Sequence, residues 1–90
     1  MEKQEQISMN NDLFDVLLSL RSREDCRILL EDLCTVKEVE QMAQRIRAAS
    51  LLKSGCTYSD VMASTEISSA TLSRVSRCLK YGEGYKRFVK

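Results

Sequence analysis

Residues 55–82, GCTYSDVMASTEISSATLSRVSRCLKYG, constrain this chain most, because they hold two helix starts in quick succession. Thr57 and Ser68 are each placed to accept a hydrogen bond from backbone N–H groups that open a helix. Thr57 with Asp60 also has the Ser/Thr-x-x-acid spacing of a capping box. The pattern predicts a short helix from about Tyr58 to Ser64, a turn at Thr65 to Ser68, and a longer helix from about Ser69 to Lys80. That is a helix-turn-helix.

The longer helix sorts its side chains by chemistry. At about 100° per residue, Leu72, Val75 and Leu79 fall on one side, and Ala70, Ser73, Arg74, Arg77 and Tyr81 on the other. A helix that enters a major groove needs small residues near its N-terminus, so that the backbone can approach. It also needs hydroxyls and guanidinium groups that reach base edges and phosphates. Ser68, Ser69, Ala70, Thr71, Ser73 and Arg74 meet that description, and Arg77 adds a second guanidinium for a base or a phosphate. An ordinary surface helix with a solvated polar face would show the same sorting.

The net charge of +1 is a poor advertisement for nucleic-acid binding, but its distribution is not. From Ser68 to Lys90 there are six basic residues against Glu83 alone, a net of +5. Residues 1–67 hold eight basic and twelve acidic residues, a net of −4. A chain polarised in this way presents one basic face to phosphates while the rest repels them. A solvated charged tail would give a similar count.

The remainder of the chain reads as helix throughout, with apolar residues at helical spacing and no strand alternation. Asn11 or Asp12 opens a first helix carrying Leu13, Phe14, Leu17, Leu18 and Leu20. Ser22 opens a second, with Glu24 and Asp25 suited to the dipole at its start. Thr35-Val36-Lys37-Glu38 is a capping box, opening the longest helix, which runs to about Ser54 and ends at Gly55 as a C′ glycine. The expectation is one all-α domain of five to six short helices. Residues 1–54 form a helical dimerisation core, 57–81 the helix-turn-helix, and 82–90 a basic C-terminal tail.

Ninety residues, 43% hydrophobic but with only two Phe, three Tyr and no Trp, bury a modest core at best. Oligomerisation would relieve that shortage. No apolar run approaches a membrane span of about 18 residues, and MEKQEQISMNND lacks a signal-peptide core, so the expected location is the cytoplasm. Cys26, Cys34, Cys56 and Cys78 show no C-x-x-C spacing and have no His beside them, so packing is expected rather than a metal site or disulfide. No cofactor is expected. An enzyme has little behind it: no His, no glycine-rich phosphate loop and no nucleophile motif.

From Leu33 to Tyr81 the chain resembles the Trp repressor superfamily, and within it the TrpR-like YerC/YecD branch. The resemblance is carried by Leu33-Cys34-Thr35, Gln44-Arg45-Ile46-Arg47, Leu51-Leu52-Lys53-Ser54-Gly55 and Tyr58-Ser59-Asp60-Val61. It is strongest in Ser69-Ala70-Thr71-Leu72-Ser73-Arg74-Val75-Ser76-Arg77-Cys78-Leu79-Lys80-Tyr81-Gly82. It implies an intertwined homodimer that places two helix-turn-helix heads in successive major grooves of double-stranded DNA. It also implies a ligand pocket at Thr35, Arg45 and Arg74. There Val75 replaces the Gly that leaves room for an indole in tryptophan-responsive members, so the pocket reads as vestigial. Ser59 stands where those members place a base-contacting Arg, which implies a different operator. Glu66 stands in the turn where close relatives tend to have Gly, so that position is expected to strain the backbone if it needs a positive φ.

Two functions follow, and they differ in kind. One is a homodimeric, sequence-specific DNA-binding transcriptional regulator, read as a repressor that does not respond to tryptophan and whose effector is unknown. The other is a helical protein-interaction module that keeps the fold and binds a protein partner through the same surface.

Overall fold

The computed structural model describes residues 2–90, which form six helices and, among the described residues, no strand. These are α1 (Lys3–Ser19), α2 (Arg23–Leu33), α3 (Val36–Lys53), α4 (Tyr58–Thr65), α5 (Ser69–Tyr81) and α6 (Gly84–Phe88). They divide into two compact units, one ending at Thr35 and one from Val36 to Lys90. No helix among the described residues is long and apolar enough to cross a membrane.

In the first unit α1 starts eight residues before the expected Asn11. The reason is local. Residues 3–10 contain neither Gly nor Pro, Glu5 suits the positive end of the dipole, and Gln6 Nε2 donates to Asn10 Oδ1 at 2.9 Å. Ser22 caps α2 as its spacing predicts, accepting from the Asp25 N–H at 3.0 Å. Asp25 in turn accepts from the Arg21 N–H at 2.9 Å. Arg27 pairs with Glu24 and Glu31 on the exposed face of α2, where such pairs add little stability.

No residue from 2 to 35 is buried. Yet α1 carries Ile7, Leu13, Phe14, Leu17 and Leu18, all exposed and all on one side of the helix. Leu18 is 82% exposed.

The second unit holds the core: Ala48 and Ala49 of α3, Val61 of α4, Ile67, Leu72 and Val75 of α5, and Val89. Two adjacent alanines on α3 leave room for α4 and α5 to approach its backbone. Gly55 closes α3 with φ +97, its N–H bonded to Leu52 O and the Cys56 N–H to Leu51 O, both at 3.1 Å. That pair of bonds is a Schellman motif, and its left-handed residue favours glycine. Thr57 accepts from the Asp60 N–H and Ser68 from the Thr71 N–H, each at 3.2 Å, so both helix starts of the motif are capped as expected. Buried Thr65 donates to Val61 O at 2.6 Å and accepts from the Ile67 N–H at 3.3 Å, so its hydroxyl is satisfied.

The turn between α4 and α5 runs through Glu66 at φ 61, ψ 15, with its N–H bonded to Met62 O at 3.0 Å. A side chain there crowds its own carbonyl, at a cost of about 1 kcal/mol or more. Glu66→Gly is therefore expected to raise stability by about 1 kcal/mol. Urea melts of the two proteins measure this, and a lower midpoint for the glycine variant would contradict it.

Residues 82–90 differ from the basic tail expected. They fold back as α6, with Val89 buried in the core. The Lys53 ammonium donates to the carbonyls of Tyr85, Lys86 and Val89, and Arg87 pairs with Glu83 at 3.3 Å. The chain can reverse there because Gly82 lacks a side chain: a Cβ would lie 2.7 Å from Cys78 O.

Candidate nucleic-acid interface

The outward face of α5 is set by the way the helix seats itself. Leu72 and Val75 point into the core and Leu79 packs against it. The opposite side therefore faces outward, and it carries Ser69, Ala70, Ser73, Arg74 and Arg77, all exposed. Four of them, Ala70, Ser73, Arg74 and Arg77, share this side as the 100° spacing predicts, and the fifth residue predicted there, Tyr81, is also exposed. Ser68 is exposed but engaged: it caps the helix and its hydroxyl donates to Thr71 Oγ1 at 3.0 Å. Thr71 is half-buried, one step round from the open face.

No acidic residue lies in the first turn of α5, so nothing there opposes an incoming phosphate at the positive end of the helix. Arg74 and Arg77 form no ion pair among the described residues, which leaves both guanidinium groups able to take a base edge or a phosphate. Near the end of α5, Lys80 lies over the Tyr81 ring at 5.4 Å from its centroid. By contrast Lys86 and Arg87, which lie in the segment expected as a basic tail, are both engaged within the chain.

A cleft of about 890 Å³ opens beside α5, lined by Arg45 and Ile46 of α3, by Arg74, Val75 and Cys78 of α5, and by Tyr85, Phe88 and Val89 at the C-terminal end. Of the four positions that the resemblance groups as a pocket, Arg45, Arg74 and Val75 meet here, while Thr35 belongs to the first unit. Val75 is only 1% exposed, so its methyl groups fill the core edge of the cleft. The wall formed by Tyr85 and Phe88 lies outside the pocket that the resemblance implies. Its signal in the sequence is the helical spacing of Tyr85, Phe88 and Val89 after Gly84.

The sequence model of the Trp repressor protein matches residues 8–90, nearly the whole chain. The chain belongs to the Trp repressor family. It is 46% identical over 70 residues to the YerC protein of Bacillus subtilis (strain 168), itself described as uncharacterised; the match covers 78% of this chain and 67% of that one. A crystal structure described as a candidate Trp repressor from Staphylococcus aureus superposes with TM-score 0.86 at 36% identity, over 96% of this chain and 89% of that one. A TrpR-like protein from Eubacterium eligens superposes with TM-score 0.83 at 40% identity, over 86% and 80% of the two chains. The all-helical fold of this Trp repressor family protein is thus shared with solved relatives.

Proposed function

We propose that this Trp repressor family protein is a homodimeric, sequence-specific DNA-binding transcriptional regulator, acting as a repressor without tryptophan as corepressor. The observation that carries the reading is the outward face of α5: small residues in its first turn, then two arginines with no ion-pair partner among the described residues. Ser68, Ser69, Ala70 and Ser73 let the helix backbone approach the groove, with Thr71 shaping the edge of that surface. Arg74 reads a base, and Arg77 holds a phosphate. The apolar stripe of α1 supports the dimer, because a helix with no buried residue and five large apolar side chains on one side needs a partner surface.

Titration of duplex DNA at several salt concentrations tests the reading. Binding through about six phosphates weakens about a thousandfold between 50 and 200 mM salt. Salt-insensitive association with a protein partner, and none with duplex, would instead favour an interaction module.

Tryptophan is expected to bind negligibly and to leave DNA affinity unchanged. Val75 occupies the core edge of the cleft where an indole would need open space. Calorimetry with millimolar tryptophan is the direct check, and saturable heat at one site per subunit would contradict it. Gain of binding in Val75→Gly would support the steric cause specifically.

A further inference from the structure

Two lysine ammonium groups acting in series join the C-terminal segment to the recognition helix. A five-residue helix is far too short to persist in water alone, so α6 is held from outside. The last carbonyls of any helix lack intrahelical donors, and cations are favoured beside them. Lys53, in the last turn of α3, supplies that need for α6. Its Nζ donates to Lys86 O at 3.1 Å, to Tyr85 O at 3.4 Å and to Val89 O. The segment passes the same device onward, because Lys86 Nζ donates to Lys80 O at 3.1 Å, near the C-terminal end of α5. Between the two caps Val89 is buried in the core and Tyr85 packs against it.

The geometry points to Lys53 and Lys86 as positioning residues that fix the orientation of the recognition helix through α6 without touching DNA. For its effect on affinity this rests on the DNA-binding reading; for its effect on α5 it rests on the packing of the second unit alone. The physical cause is simple. An α5 held only along its apolar side can still pivot about Leu72 and Val75. A strap fixed to α3 at one end and to the C-terminus of α5 at the other removes that freedom, so less ordering remains to be done on binding.

Lys53→Met keeps most of the aliphatic stem and removes the ammonium, so it separates the cap from the packing. Hydrogen exchange of the full chain without DNA is read first. The Arg87 and Val89 amides, bonded to Glu83 O and Tyr85 O, are expected to exchange about tenfold faster. The Gly82 amide, bonded to Cys78 O at 2.8 Å, should follow by a smaller factor. The Val61 amide at the start of α4 should not change. Lys86→Met should accelerate Gly82 while leaving Val89 protected, and Lys53→Arg should restore protection throughout.

On a preferred duplex, Lys53→Met should then weaken binding about three- to tenfold at unchanged salt slope, whereas loss of a phosphate contact would lower that slope by about one. Unchanged exchange in α6 would overturn the inference. Faster exchange in α6 with an unaltered Gly82 amide would also overturn it, since the strap would then not reach α5. Uniform acceleration that includes Val61 would mean general destabilisation and would overturn it as well. Absence of any duplex binding by the unsubstituted chain would sink the DNA-binding reading, while the exchange measurements would still decide the brace.

Discussion

Replacing both Phe14 and Leu17 with aspartate is expected to abolish the proposed dimer. Both side chains lie on the exposed apolar stripe of α1, at 52% and 41% exposure, in a unit that buries no residue of its own. A buried Phe or Leu side chain contributes about 1.5–3 kcal/mol. With four such side chains per dimer, each about half exposed before association, the loss reaches about 3–6 kcal/mol before the added cost of placing carboxylates in an apolar contact. Sedimentation should show the unsubstituted chain near twice its 10.3 kDa mass. The variant should sediment as a monomer or lose its helical signal, because small obligate dimers have little stability apart from association. A folded monomer of the unsubstituted chain at micromolar concentration would contradict the expectation.

Arg74→Ala is expected to carry the next largest effect. Arg74 is exposed one turn in from Ala70 and has no ion-pair partner among the described residues. Its removal should cost about 1–3 kcal/mol on the preferred duplex and narrow the advantage of that duplex over random DNA. Titrations of both proteins on both duplexes check this, with circular dichroism to confirm that the helices are retained. Equal losses on the two duplexes would make Arg74 a phosphate contact rather than a base-reading residue. Lys86 and Arg87 are poor comparisons for non-specific attraction, since each is engaged within the chain. Arg77, exposed and without an ion-pair partner among the described residues, is the better comparison.

What the sequence made legible and what it hid follow from the range of the interactions involved. The caps at Thr57, Ser68 and Ser22 and the glycine stop at Gly55 could be read because each depends on hydrogen bonds within a few residues. The outward set on α5 could be read for a related reason, since helical geometry alone decides which side chains share a face. The start of α1 was missed because a polar helix former gives no edge, and only Asn11 and Asp12 looked like one. The helix at the C-terminus was missed for a different reason. Its anchors are Lys53, more than thirty residues earlier, and a core that receives Val89 only once α3 and α5 are assembled. The cleft was legible only in part, because three separate elements line it. The family resemblance points to Arg45, Arg74 and Val75, whereas the wall supplied by Tyr85 and Phe88 depends on the folding back of α6.

Selection of bound sites from a random duplex pool tests the central claim most directly. A homodimer with one recognition helix per subunit should enrich a two-fold symmetric site whose half-sites lie about one helical turn, roughly 34–36 Å, apart. The Arg74→Ala protein should enrich the same site more weakly and with relaxed preference at one position in each half-site. A pool that emerges without enrichment, from a protein shown to be folded and dimeric, would contradict the claim that this chain reads DNA sequence.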